Sequence, residues 1–399
     1  MAGDREADGW AIYDIARSQD PYAVWKRIRE STPLLDAGQG LFFVSSWDLV
    51  DQLLADPRLG AGRGVTESFG LEGGLAFDVT RSWLMSLDGP PHDLARGRVA
   101  RGFTPRRIEA LRPLVERSFQ HLLSKLEARL VRGATLDLMA ELAVPLPCEV
   151  IRGLFGFERE GWRACVDPLF RSTQRSEADG LAMLEGLAHF FREALQAGVS
   201  GDGLLAELGA ADSEQRALSE LEIVANAVLL VTAAVDTTAG LIGNSIMCIS
   251  QRPAVLDALR AEPALVERAV EETLRFEPPA LSCSRHASQS FELAGVPIPA
   301  GSQFLLGLGA ANRDPMRYPD PDVFDLQRDP TGLLSFGGGR HFCLGAALAR
   351  LEARVVLEGL LAAGFDFELV EEPRFRDDNP TIRALSSLLV RRAPAAGAR

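Results

Sequence analysis

Apolar residues recur at helical spacing along most of the chain and alternate strand-fashion in only a few short runs. The longest helical pattern runs from Ser219 to Ile249, roughly 45 Å at the usual rise per residue, enough to cross a whole domain. Asp20-Pro21 reads as an N-cap and first helical position for a helix to about Glu30, and Ser46–Ala55 predicts another that stops before Pro57. Pro105 to about Gly209 is mostly helical, with two helices in Val166–His189 joined by a polar turn near Glu177–Gly180. Pro253–Glu262 and Pro263–Phe276 are shorter helices opened by proline. Leu34-Leu35 and Leu41–Val44 flank Asp36–Gly40 as a hairpin. Further strands are expected at Leu281–His286, Phe291–Leu293 and Gln303–Leu308, with turns at Gly295 and Pro299-Ala300-Gly301. Gly60–Met85 is glycine-rich without periodicity, and Ala310–Asp329 is Pro/Asp-rich irregular chain. Loops of that length carry function or disorder, so Phe69, Leu71, Phe77, Trp83 and Met85 are either a substrate lid or plugs into the core. The fold class is mainly α with a minor β portion.

Composition narrows the class. The chain has 399 residues, 47% hydrophobic and 24% charged, which is ordinary for a globular protein. Length alone suggests two or three domains, but no linker, low-complexity block or internal repeat marks a boundary, so residues 1–399 read as one large domain with 1–10 and 392–399 flexible. Met1–Trp10 is polar, without the apolar run of a signal peptide or membrane anchor, so a cytoplasmic protein that does not use a membrane is expected. Cys148, Cys165, Cys248, Cys283 and Cys343 are odd in number and form no C-x-x-C pair, which argues against a disulfide framework and against zinc. A net charge of −13 makes nucleic acid an improbable partner. Locally, Arg96, Arg98, Arg101, Arg106 and Arg107 stand against Asp93 alone. They are either a solvated helix face or a docking patch for an acidic protein.

Two stretches carry chemistry. Phe336-Gly337-Gly338-Gly339-Arg340-His341-Phe342-Cys343-Leu344-Gly345 combines three glycines with a single cysteine. The glycines let the backbone pass close to something large and flat. Ala346–Leu357 then forms a helix, so Cys343 sits at a helix N-terminus, where amides and dipole favour a thiolate. A lone cysteine is more often a small buried hydrophobe, but the glycines and the helix start favour a ligand. The second stretch is Leu229–Gly240, apolar apart from Asp236 and three threonines. A carboxylate there is costly to bury, and threonine hydroxyls that bond back to earlier carbonyls bend a helix and open room for a ligand.

Phe336–Gly345 resembles the haem-binding signature of the cytochrome P-450 family, F-x-x-G-x-x-x-C-x-G, matching at Phe336, Gly339, Cys343 and Gly345. Further motifs in the right order extend the resemblance over nearly the whole chain. It implies the P-450 fold, with haem b between the long central helix and the helix after the cysteine loop. Cys343 would be the axial iron ligand, with Phe336, Gly337, His341 and Gly345 around the cofactor. Ala233-Ala234-Val235-Asp236-Thr237-Thr238 resembles A-G-x-[D/E]-T-[T/S], with Ala234 where glycine is usual. By that match Ala233 and Thr237 border the haem, Thr237 holds dioxygen and an ordered water, and Asp236 relays protons. Asp88-Gly89-Pro90-Pro91-His92 through Arg96 resembles D-P-P-x-H-x-x-x-R, with Gly89 for the first proline. The likeness assigns His92 and Arg96, together with Arg285 and His341, to the haem propionates. Glu272-Thr273-Leu274-Arg275 is the family's E-x-x-R, which with Arg328 implies a buried structural network.

The function this resemblance implies is a soluble bacterial-type haem-thiolate monooxygenase. It would draw electrons from NAD(P)H through a reductase and a ferredoxin at the basic proximal face, and insert one oxygen atom of dioxygen by hydroxylation or epoxidation. Gly60–Met85, Val166–His189, Leu229–Thr237, Ala280–Ser282 and Thr381–Leu385 would wall the pocket. Their apolar character points to a small hydrophobic or amphipathic organic substrate, as in secondary metabolism. Two rivals are a peroxide-driven peroxygenase of the same fold, against which Asp236-Thr237 argues, and a non-catalytic haem sensor or carrier.

Overall fold

The longest apolar pattern becomes the longest helix. The computed structural model describes residues 11–62, 73–157, 162, 177–198, 203–210, 216–364 and 367–393. In chain order its helices are α1 (Ala11–Arg17), α2 (Tyr22–Ser31), α3 (Trp47–Ala55), α4 (Gly74–Arg81), α5 (Gly89–Ala100), α6 (Pro105–Leu130) and α7 (Pro145–Phe155). They continue as α8 (Glu177–Gln196), α9 (Leu204–Gly209), α10 (Glu220–Ser250), α11 (Pro253–Ala261), α12 (Val266–Phe276), α13 (Leu308–Ala311) and α14 (Ala346–Ala362). Ser219 opens α10 with a capping box: its Oγ accepts from the Glu222 N–H at 3.3 Å, and Glu222 accepts from the Ser219 N–H at 2.8 Å. By length and hydropathy α10 could cross a membrane, yet its most apolar window is 72% buried inside the fold. It is a core helix.

Two hydrophobic clusters meet along α10. Ile223 to Val235 pack with α4, α5, α7, α8 and α9, while Ala239 to Ile249 pack with α6, α12 and α14. Asp236, Thr237 and Thr238 fall between the clusters and belong to neither. The junction holds two half-buried polar residues, Asp236 and Thr237, and the buried Thr238.

The β portion lies to one side. Strands β1 (Leu34–Asp36), β2 (Leu41–Val44), β3 (Leu59–Gly60), β5 (Cys283–Ala287) and β8 (Gln303–Leu306) form a sheet in the order β1-β2-β8-β5-β3. The β1–β2 hairpin is antiparallel, β2 pairs parallel to β8 with Phe42 opposite Phe304, and β8 pairs antiparallel to β5. Smaller sheets join β4 (Leu136–Asp137), β12 (Leu389–Arg392) and β9 (Phe367–Leu369); β10 (Arg374–Phe375) and β11 (Leu385–Ser387); and β6 (Phe291–Leu293) and β7 (Val296–Ile298).

Several expectations change. Gly60–Met85 is not loop throughout: it contains α4 and a 3₁₀ turn at Leu84–Ser86. Ala76, Val79 and Trp83 are buried at helix-like spacing, so Trp83 plugs the core, whereas Met85 is exposed. Phe69 and Leu71 lie outside the described residues. Glu177–Gly180 is the first turn of α8, not a break between helices, because a single glycine is tolerated inside a helix; most of the preceding 158–176 lies outside the described residues, as does Cys165. Pro263–Leu265 is a 3₁₀ turn ahead of α12. Arg392 ends strand β12, while residues 1–10 and 394–399 are not among those described.

Candidate active site

The cysteine loop folds back on itself. The Cys343 N–H donates to the Phe336 carbonyl at 3.0 Å and the Gly337 N–H to the Leu334 carbonyl at 2.8 Å. Gly337 (φ +67) and Gly339 (φ +61) take the left-handed conformation that suits glycine. The close neighbour they serve is the last turn of α3: a Cβ on Gly339 would lie 2.5 Å from the Leu54 carbonyl oxygen, and one on Gly338 would lie 3.1 Å from Leu54 Cβ. Gly345 is the N-cap of α14, and Cys343 is exposed. Leu344 packs on the apolar cluster to which the first half of α10 belongs.

The helix start does not by itself make Cys343 a thiolate. Although the residue keeps an exposed face, the neighbouring chain desolvates the thiol and pushes it above its ordinary range. The Gly345 and Ala346 amides and the charges of Arg96 and Arg350 pull the other way without winning. Binding to a metal cation would favour the deprotonated sulfur, which the surroundings alone do not.

Beside this loop the chain collects donors. His92 on α5 is 1% exposed; its Nδ1 meets Asp93 Oδ1 at 3.1 Å, and its buried Nε2 has no hydrogen-bond partner. The His92 and His341 rings stand 4.5 Å apart. Arg96, one turn beyond His92, donates from Nη2 to the Phe342 carbonyl at 2.8 Å. Arg285 is buried on β5 and donates to the Ser284 carbonyl at 2.9 Å. His341 differs from the cationic partner expected: burial first, then the charges of Arg285 and His92, push it down to about 4, against a weaker pull from Asp88 at 3.5 Å. An orphaned buried imidazole nitrogen among histidines and arginines suits an anionic group, which would favour their charged forms. The residues therefore fit a haem with its propionates.

On α10 the helix is continuous through Ala234, and the expected threonine bonds back to earlier carbonyls are present. Thr237 Oγ1 donates to the Ala233 carbonyl at 2.7 Å, and Thr232 Oγ1 reaches the Val228 and Leu229 carbonyls at 3.1 and 3.0 Å. Ala233 is exposed and Asp236 and Thr237 are half-buried, although Val231 and Val235 are fully buried. That exposure marks an open space against the core helix where a cofactor face would lie.

The structure adds a residue that sequence reading missed. Arg376, just after β10, reaches Asp236: Nη1 to Oδ1 is 3.3 Å. It is 140 positions away, and no local motif announces it. Two predicted walls also meet, for Ala280 bridges to Ile382 and the Leu281 N–H donates to the Thr381 carbonyl at 2.9 Å. The basic cluster is only partly a surface. Arg98 is 1% exposed and donates to the Ala210 and Arg216 carbonyls, and Arg107 pairs with Glu207, which leaves Arg101 and Arg106 outward. Glu272, Arg275 and Arg328 do form one buried network, with Arg328 Nε 3.3 Å from Glu272 Oε1.

Comparison with known proteins agrees with this geometry. The family model for cytochrome P-450 matches residues 162–392. Cytochrome P-450 107B1 of Saccharopolyspora erythraea is 36% identical over 90% of this chain and 92% of its own. The 6-deoxyerythronolide B hydroxylase of the same organism is 34% identical over 90% of each. The solved structure of cytochrome P-450 CYP109Q5 from Chondromyces apiculatus superposes with a TM-score of 0.86 at 30% identity, covering 98% of this chain and 100% of that one. The chain belongs to the cytochrome P-450 family, as an oxidoreductase whose cofactor is a cysteine-ligated haem iron.

Proposed function

We propose that the whole chain acts as one cytoplasmic monooxygenase that hydroxylates or epoxidises a hydrophobic or amphipathic organic molecule in secondary metabolism, with electrons from NAD(P)H through a ferredoxin reductase and a ferredoxin. The observation that carries this reading is the Asp236–Thr237 pair, set at the junction of the two apolar clusters beside the exposed Ala233. The haem, when bound, supplies dioxygen activation and oxidising power. The protein's own residues do the rest. Cys343 would supply the sulfur that binds the iron. Phe336, Gly337 and Gly345 shape the loop around it. His92, Arg96, Arg285 and His341 hold the propionate edge.

Thr237 and Asp236 handle protons. A hydroxyl bonded back to the Ala233 carbonyl keeps its oxygen aimed as an acceptor, and a half-buried carboxylate beside it passes protons from solvent without flooding the site. The mostly apolar run Leu229–Val235, with Ala233 exposed in it, supports an apolar substrate. Outward Arg101 and Arg106, on the chain that follows Arg96, support an acidic electron donor.

The test is a spectral screen of candidate compounds for the low-spin to high-spin change, followed by mass analysis of products formed with ferredoxin and NAD(P)H. Faster turnover with hydrogen peroxide than with ferredoxin would turn the reading to a peroxygenase. Tight haem with no turnover from any donor would turn it to a sensor or carrier.

A further inference from the structure

The three side chains Asp236, Arg376 and Asp378 form a charged row against the junction of α10 and the C-terminal chain. Arg376 donates to Asp378 through both Nε and Nη2, each at 2.9 Å, in a bidentate pair. Its remaining terminal nitrogen, Nη1, is the one that reaches Asp236. The three side chains are 18%, 9% and 10% exposed, so water screens them only in part. Burial works against the Arg376 charge, and the two carboxylates more than offset it.

The backbone that carries Arg376 is also held from behind. The Arg376 N–H donates to the Ala384 carbonyl at 2.9 Å, and the Arg383 N–H to the Pro279 carbonyl at 2.7 Å. Asn379 Oδ1 accepts from the Thr381 N–H and hydroxyl at 2.9 and 2.8 Å, closing the turn between them. The same turn bridges Ile382 to Ala280. Backbone and side chain thus fix where Arg376 points before any ligand binds.

Asp378 and the bracing together leave Nη1 directed at the Asp236 carboxylate, next in sequence to Thr237. We propose that Arg376 is a positioning residue for proton delivery: clamped by Asp378, it holds the Asp236 carboxylate in the orientation from which a proton passes toward Thr237. The proposal rests on the monooxygenase reading above. It makes the C-terminal turn, which also walls the pocket, part of the machinery that times proton supply.

The experiment uses the haem-loaded full chain with Arg376→Gln, Asp378→Asn, Asp236→Asn and the Arg376→Gln/Asp236→Asn pair. Arg376→Gln keeps its haem and its thiolate absorption under carbon monoxide. Product formed per NAD(P)H falls roughly ten-fold, short of the ~10²-fold or more that losing a general acid costs. The solvent deuterium isotope effect on product formation rises, and Asp378→Asn moves both readouts the same way by less. In thermal melts the double variant unfolds no lower than the worse single one, because the two residues act as a pair. Additive melting shifts, or an unchanged coupling ratio and isotope effect, overturn the clamp. A wild type that makes no product overturns the functional reading instead, and the melting cycle still decides the contact.

Discussion

Arg275 lies across Glu272 as a two-point pair, Nε to Oε2 at 2.8 Å and Nη2 to Oε1 at 2.7 Å, with side chains 1% and 4% exposed. The guanidinium also serves the Asn312, Pro321 and Val323 carbonyls, which belong to the irregular chain ahead of the cysteine loop. Removing it takes the two-point partner from a buried carboxylate, leaving it Arg328 and the Asp325 N–H, and takes a donor from three carbonyls. Arg275→Ala is expected to cost about 3–5 kcal/mol and to lose haem. Haem content per purified chain and urea unfolding measure this, and a variant with full haem occupancy refutes the structural role.

Cys343→Ala removes the axial sulfur. The ferrous protein under carbon monoxide is then expected to lose the red-displaced Soret absorption that thiolate ligation produces. An unaltered spectrum would mean that another group holds the iron.

Gly339→Ala places a methyl group 2.5 Å from the Leu54 carbonyl oxygen at a residue with φ +61. Backbone strain of this kind costs about 1–3 kcal/mol, and here the steric contact adds to it. The variant should melt lower and release haem faster, while Gly97→Ala, on the outer side of α5 with open space around it, should not. Equal behaviour of the two would remove the packing of this loop on α3 as an explanation.

Glu352 on α14 is 2% exposed, and its Oε2 lacks a hydrogen-bond partner. Burial raises its carboxyl from 4.5 to about 8. The folded chain therefore binds a proton there that the unfolded chain has lost, so this group's contribution to stability declines as pH rises from about 4.5 to about 8. Glu352→Gln is expected to gain roughly 2–4 kcal/mol on the wild type between pH 5 and pH 9. Denaturant unfolding of both at the two pH values checks the sign; parallel pH curves would place the proton elsewhere.

Much of the architecture was legible because its causes are local. The apolar period and the Ser219–Glu222 box define α10 within a residue at each end, since helix formation and capping act over one turn. Phe336–Gly345 holds its glycines, cysteine and helix start within ten positions, so Cys343 could be singled out from the string alone. Glu272 and Arg275, three apart on one helix, were equally visible as a pair.

What only the folded chain decided are relations between distant residues. Arg376 meets Asp236 across 140 positions, His92 meets His341 from another helix, and Arg98 turns inward to loop carbonyls rather than joining a basic face. Two-residue strands such as β4 and β10 exist because neighbours supply their hydrogen bonds, not because their own residues demand it. The Cys343 thiol follows the same rule: its place at a helix start is written in the sequence, but the desolvation that pushes it above its ordinary range comes from tertiary packing. Short-range torsional and capping preferences travel with the sequence, whereas desolvation and charge pairing depend on which surfaces tertiary packing brings together.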